Sequence, residues 1–343
     1  MSAFKSLARR TARKLKGLLP KAPLPRPPSV ALTIVAQADP VVCDAWHAPA
    51  FGAVFDDQGR VLEPTIRPAL SYTPTLAALP NAWREGETTQ FELPIEALQI
   101  PRATVFVSWA GLHNYASFLL NDLPVLVAAE QAGALATHPP IAPPLLPWQA
   151  QLLDLTLGGA VKPTVVEAPI VRLGEAVRHA PDLALARERM LTHVAVPDDP
   201  GAPKRIYVSR RGALKDELLN EAALEAALEA RGFMIVRPEV WSIRDQIILF
   251  HRANVVVGAT GVAMANVFFC RPGTKVVEIQ PDGLAGDWVR DLARRGGGEA
   301  RAFAAPALPD DTEILIEGLS LPASEFTWRL DLGAFLSFLD EAL

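Results

Sequence analysis

Lys204-Arg-Ile-Tyr-Val-Ser-Arg210, Gly232-Phe-Met-Ile-Val-Arg237, Asn254-Val-Val-Val-Gly-Ala-Thr-Gly261 and Thr274-Lys-Val-Val-Glu-Ile-Gln280 are four short apolar runs, rich in β-branched residues. Each reads as a strand: Arg205–Ser209, Phe233–Val236, Val255–Val257 and Lys275–Ile279. Helical patterns fill the intervals, at Asn220–Arg231, Ile243–Arg252 and Gly261–Phe269. Runs without polar alternation, separated by helices, predict a parallel sheet covered on both faces.

Working outward, Ala195-Val-Pro-Asp-Asp-Pro-Gly-Ala-Pro203 holds three prolines and a glycine and reads as a linker. Before it the pattern is mixed. Strands are expected at Val30–Ala36, at Ala53–Phe55 and Arg60–Leu62 around the turn formers Asp56 and Asp57, at Ala103–Trp109 and at Val165–Val171. Helices are expected at Asn114–Gln131, interrupted by Pro124, at Trp148–Leu157 and at Asp182–Val194. Beyond Gly283 come a helix to about Arg295, one or two short strands and a terminal helix Leu332–Ala342. The divisions expected are a leader with its spacer (1–29), a first α/β domain (30–195), a doubly wound domain (204–300) and a C-terminal extension (301–343).

The leader carries eight basic residues and no acid within residues 1–30, leaving 25 basic against 38 acidic residues in the remainder, a formal −13. An acidic body excludes nucleic acid as the main partner, since phosphate neutralisation needs a basic face. Phe4, Leu7, Leu15, Leu18 and Leu19 recur at helical spacing, so residues 1–19 are expected either to lie on an anionic membrane surface or to form a solvated tail. No continuous apolar run of spanning length occurs there, and the expected location is cytoplasmic, peripheral on the inner face of the membrane. The two cysteines, Cys43 and Cys270, are far apart and suggest no disulfide framework. Cys43-x-x-x-His47 lacks a second ligand pair, so a buried cysteine and an ordinary loop histidine are expected, and no metal.

In an open parallel sheet, ligands bind beyond the carboxyl ends of the strands. Here those ends carry Arg210 and Arg211, Glu239, Thr260 and Gly261, and Glu278. Arginines pair with phosphate oxygens, a glycine-flanked helix start favours the same charge, and a carboxylate accepts from ribose hydroxyls. A phosphorylated nucleoside fits that set. The stretch Val255–Ala263 only partly matches a dinucleotide fingerprint, which leaves an NAD-dependent oxidoreductase as a lesser alternative.

Arg205-Ile-Tyr-Val-Ser-Arg210, Asn220-Glu221, Gln246, Ala253-Asn-Val-Val-Val-Gly258 through Gly261, Asn266, Phe269 and Pro272-Gly-Thr-Lys-Val-Val-Glu278 together resemble glycosyltransferase family 61. Asn114-Tyr115, Phe118-Leu-Leu, Leu123-Pro124 and Trp148-Gln149 extend the likeness upstream. The resemblance implies a GT-B-like α/β fold of two Rossmann-type domains, their parallel sheets facing across a cleft. It also implies inverting transfer from a nucleotide-sugar donor, UDP-sugars first, to a glycan or lipid-linked acceptor in capsular or exopolysaccharide assembly, with no cofactor and no obligatory metal. The chain has no Asp-x-Asp pair for a metal-bound diphosphate, so the leaving-group charge would fall to arginines, Arg210 first. The donor would be held by Arg210, Arg211, Glu239, Gln246, Thr260, Gly261, Asn266 and Glu278.

Several family positions differ: Ser117 stands for a histidine, Asn121 for an acid, Val125 for an arginine and Thr260 for a histidine. Asp122 and His113 flank the altered segment and are the candidates for the general base. The alternative is a family member that has lost catalysis and serves as a nucleotide-sugar sensor or assembly partner.

Overall fold

The computed structural model describes residues 28–36, 41–66, 76–199, 201–212, 217–281, 286–305, 313–316, 319–322 and 327–343. The basic leader, residues 1–19, lies outside them. Ten strands make the first sheet: β1 (Ser29–Val35), β2 (Val41–Ala48), β3 (Ala53–Phe55), β4 (Arg60–Leu62), β5 (Ala82–Glu85), β6 (Thr88–Glu92), β7 (Leu98–Val105), β8 (Pro140–Ala142), β9 (Thr164–Val165) and β10 (Val171–Val177). Their order is β5-β6-β1-β4-β3-β2-β10-β7-β8-β9. The sheet is mixed, not parallel throughout: β10, β7, β8 and β9 run parallel, while β2 pairs antiparallel with both β10 and β3.

Helices α1 (Leu123–Gln131), α2 (Pro147–Leu157) and α3 (Leu183–Val194) accompany the parallel strands. Asp182 caps α3 by accepting from Leu185 N–H at 3.0 Å. The helix expected to be interrupted at Pro124 enters α1 through a π-helical turn, Phe118–Asp122, in which Leu123 N–H reaches back to Phe118 O. Proline clashes with the carbonyl four residues earlier, and widening the preceding turn relieves that clash. The strand expected at Val165–Val171 is instead two, β9 ending at Val165 and β10 beginning at Val171, with Pro169, which lacks the N–H a ladder needs, between them. Cys43 and His47 both lie on β2, with the cysteine exposed and the histidine buried, the reverse of expectation.

The second half holds β11 (Arg205–Val208), β12 (Glu217–Leu218), β13 (Met234–Val236), β14 (Val255–Ala259), β15 (Lys275–Pro281), β16 (Glu299–Ala305), β17 (Glu313–Ile316), β18 (Leu319–Pro322) and β19 (Thr327–Trp328). Five of these form an all-parallel sheet, β13-β11-β14-β15-β16. Alternate residues of each strand serve opposite faces. Ile206, Val208, Val256 and Val276 enter one core with α5 (Ile243–Arg252), whereas Tyr207, Val257, Val277 and Ile279 enter another with α4 (Glu221–Glu229) and α7 (Leu332–Ala342). A further helix, α6 (Trp288–Arg295), leads into β16. Chain order places β11 second and β14 third in the sheet, so the winding reverses between them, and ligand crevices open at that point.

The core on the α5 face is shared between the halves: Leu119, Leu123 and Met190 belong to the same buried cluster as Ile247, Phe250 and Phe269. Among the described residues no helix is long and apolar enough to cross a membrane.

Candidate active site

Beyond the carboxyl end of β7, the chain turns through Ser108 and a short helical turn, Ala110–Leu112, before reaching His113. That turn is pinned from below. Ser108 N–H donates to Asp122 Oδ2 at 2.9 Å, and Arg178 Nη2 donates to Asp122 Oδ1 at 3.3 Å. The other arginine nitrogen donates to the Phe106 carbonyl. Gly111 is required here, since a Cβ on it would lie 1.6 Å from Asp122 Oδ2. Gln149 completes the brace, donating to the Gly111 carbonyl at 2.8 Å while its own oxygen accepts from Leu146 N–H at 2.6 Å.

Asp122 is fully buried, and burial pushes its carboxyl up to about 6 against the opposing pull of Arg178 and Ser108. It lies beneath the turn, bonded to Ser108 and Arg178, and does not line the cavity between the halves. The π-helical turn before Pro124 is what rotates it inward.

The turn so braced forms one wall of a cavity of about 590 Å³ between the halves. His113, Asn114, Tyr115 and Trp148 line that wall. The other wall follows β13 and β14 and carries Glu239, Trp241, Gln246 and Asn266. A hydrogen-bonded chain closes the floor. Tyr115 OH donates to Asn266 Oδ1 at 2.7 Å, Asn266 Nδ2 donates to Gln246 Oε1 at 3.0 Å, and Gln246 Nε2 donates to the Pro238 and Trp241 carbonyls at 2.8 and 3.1 Å. Burial raises the Tyr115 phenol above its ordinary range, so it stays a neutral donor.

An arginine cluster lies beyond the carboxyl ends of β11 and β13, with Arg210 crossing the reversal to β14. Arg210 Nη1 donates to the Thr260 carbonyl at 2.8 Å, and its backbone N–H donates to Glu221 Oε1 at 2.7 Å. Arg211 and Arg237 both reach Glu225, at 3.1 and 3.3 Å. Burial pushes the Glu225 carboxyl upward, but bonds from Ser209, Arg211 and Arg237 outweigh it and hold the group below its usual range. Glu221 goes the other way: burial raises it, with Arg210 N–H and Tyr207 opposing. Of the two carboxylates of α4, Glu225 thus holds the side chains of Arg211 and Arg237, while Glu221 holds the backbone of Arg210.

The short 3-10 helix Val262–Phe269 starts at Gly261, and side chains from neighbouring helices take its last carbonyls. Arg187 donates to Phe268 O at 2.7 Å and Cys270 O at 2.6 Å, and His251 Nδ1 lies 2.9 Å from Phe269 O. This fixes the helix that supplies Asn266.

Of the residues expected in the site, His113, Glu239, Gln246 and Asn266 line the cavity; Arg210 lies against Thr260 and Gly261 and Arg211 against Glu225, outside that lining. Glu278 meets Thr260 but does not line the cavity. It is fully buried and holds Arg290 at 2.8 Å; burial raises its carboxyl while Thr260, Gln280 and Arg290 oppose the shift. The strand-end pattern offered no sign of Trp241, Glu221 or Glu225; an exposed aromatic beside a strand end was the one available signal for Trp241. Among the described residues no group of three or more His, Cys, Asp or Glu is placed to hold a metal ion.

No curated protein matches the chain. The model of one family, glycosyltransferase 61, matches residues 66–277, more than half of the chain and both walls of the cavity. This protein belongs to the glycosyltransferase 61 family.

Proposed function

We propose that this glycosyltransferase moves a sugar from a nucleotide-sugar, a UDP-sugar first, to a hydroxyl of a glycan or lipid-linked acceptor, with inversion at the anomeric carbon. The observation that carries the proposal is Arg210, clamped across the β11/β14 reversal to the carbonyl of Thr260, which stands two residues before Val262 of the cavity lining. Four parallel strands in the first sheet and five in the second, with a cavity between the segments that follow β7, β13 and β14, support a GT-B-like arrangement. In it, residues 30–195 serve the acceptor and residues 204–300 the donor.

The donor diphosphate then lies against Arg210, with Arg211 and Arg237 exchanging part of their bond to Glu225 for phosphate oxygens. The acceptor hydroxyl enters from the His113 wall. Its oxygen forms the new bond to C1, the C1–O bond to phosphate breaks, and the nucleoside diphosphate leaves with the electron pair. His113 takes the hydroxyl proton, being the only imidazole among the described residues that line the cavity. The charge growing on the diphosphate meets arginines already oriented by carboxylates, so little reorganisation is needed as the bond breaks. None of these steps uses a cofactor.

The basic leader, residues 1–19, is proposed to hold the enzyme at an anionic membrane face, where surface polysaccharide is assembled. The reaction is tested by following UDP release from UDP-sugars with glycan and lipid-linked acceptors. His113→Ala is expected to lower kcat by about 10²–10⁴-fold while leaving UDP affinity unchanged. Full turnover in that variant rules out His113 as the base.

A further inference from the structure

We infer that the cavity between the halves takes an uncharged saccharide ring and that the Glu239 carboxylate excludes acidic sugars from it. The inference rests on the proposed transfer reaction, with the cavity as its acceptor side.

The walls suit the carbon face of a sugar. Tyr115, Trp148 and Trp241 line the cavity, and two of these rings are fixed before any ligand arrives. Trp148 packs against Tyr115 with ring centroids 5.8 Å apart and edge-on against Phe118 at 5.5 Å, and the Tyr115 hydroxyl is committed to Asn266. Trp241 sits opposite with its indole partly open, at the end of a loop that Gln246 ties down through the Trp241 carbonyl. Rigid aromatic surfaces bind at low entropic cost and present flat apolar area to a hydroxylated ring.

The charge pattern narrows the class. Among the described residues lining the cavity none is lysine or arginine, and Glu239 is the one carboxylate. The nearby arginines are engaged one strand end away, Arg237 and Arg211 with Glu225 and Arg210 with Thr260 O. A neutral sugar can give its hydroxyl protons to Glu239 in charge-assisted hydrogen bonds. A uronate or phosphorylated ring would set its own charge against that carboxylate inside aromatic walls, with no lysine or arginine lining the cavity to offset it. The carboxylate thus favours one ring and penalises the other.

The test is a tryptophan-fluorescence titration of the whole protein at saturating UDP, using matched methyl glycosides. The pairs are glucoside against glucuronide and galactoside against galacturonide, with xyloside as a neutral pentose. At least one neutral glycoside should change the emission, and its uronate partner should bind about tenfold or more weaker, the scale of one like-charge contact near a surface. Glu239→Gln, an exposed and conservative change, should bring the pair to within about threefold. Trp241→Ala should weaken the neutral glycoside. A uronate that binds as tightly as its neutral partner overturns the inference, as does discrimination that survives in Glu239→Gln. UDP binding without any response to glycosides also overturns it while leaving the donor site standing. Glycoside binding without UDP binding sinks the transfer reaction and spares the cavity assignment.

Discussion

Arg210 and Gly261 compete for one volume: a Cβ on Gly261 would lie 1.4 Å from Arg210 Nη1. The backbone of Gly261, at φ 155° and ψ 170°, also occupies a region that side-chain-bearing residues avoid. Glycine is needed there twice over, for the turn after β14 and for the guanidinium that crosses it. The carboxyl ends of β11 and β14 are joined by this contact, at the point where the sheet reverses its winding.

Gly261→Ala should therefore displace Arg210 without unfolding the domain. UDP affinity measured by calorimetry is expected to fall about tenfold or more, given a local strain of about 1–3 kcal/mol, while the circular dichroism spectrum stays as in the wild type. Unaltered affinity would separate Arg210 from the donor.

The buried pair Asp122–Arg178 calls for a double-mutant cycle. Asp122→Leu leaves the arginine charge uncompensated in the core and should cost about 3–5 kcal/mol in urea unfolding. Adding Arg178→Met removes that charge and should restore much of the loss. If the double variant is no more stable than the single one, the pair is not coupled.

His47 predicts a pH dependence. Burial lowers its imidazole to about 4, with the Ala53 carbonyl opposing and Arg178 adding to the shift. A depressed histidine contributes stability that is complete above about pH 6.5 and is lost as pH falls toward 4, on the order of 3 kcal/mol in all. Asp122 has the opposite sign. Raised to about 6, its contribution is complete below the ordinary carboxylate range and fades as pH rises through 6. The two trends offset each other between pH 4 and 6 in the wild type. The stability of His47→Gln relative to wild type should thus rise by about 2–3 kcal/mol between pH 7 and pH 4. A difference that does not change with pH would contradict the assignment.

Tyr115→Phe tests the chain across the cavity floor. The variant removes the donor to a buried Asn266 oxygen and should cost about 1–3 kcal/mol, with a larger effect on acceptor KM than on UDP affinity. Equal effects on both would mean that the floor does not distinguish the two sides.

The strands β11, β13, β14 and β15 of the second sheet were legible in the sequence because they are short apolar runs rich in β-branched residues. The edge strand β16, Glu299-Ala-Arg-Ala-Phe-Ala-Ala305, has none and is largely unburied. Val255–Ala259 is buried at every position. The first sheet was read less well. Asp44, at φ 50°, interrupts the alternation of β2, and Pro169 splits the run that looked like one strand into β9 and β10. The hairpin β5–β6, closed at Glu85 and Thr88 around Gly86 and Glu87, carries too few apolar residues to announce itself.

The site divides in the same way. The rule that ligands gather at strand ends singled out Arg210, Arg211, Glu239, Thr260, Gly261 and Glu278, whereas Gln246 and Asn266 entered with the family resemblance. It could not show that Glu221 and Glu225, one turn apart on α4, would take hold of the arginines. Nor could helical periodicity reveal a π-helical turn that buries Asp122, since the period assumed was 3.6 throughout. Trp148 and Trp241 are far apart in the sequence and meet only because the two halves share a core.

The central claim is a nucleotide-sugar donor held at the β11/β14 reversal, and calorimetric titration of UDP into the wild type and Arg210→Ala tests it most directly. The wild type should bind, and the variant should bind at least about tenfold more weakly, the loss expected for a charge-assisted contact to phosphate of about 1.5–3 kcal/mol. Equal affinity in the two proteins, or no heat of binding from the wild type, would contradict the account.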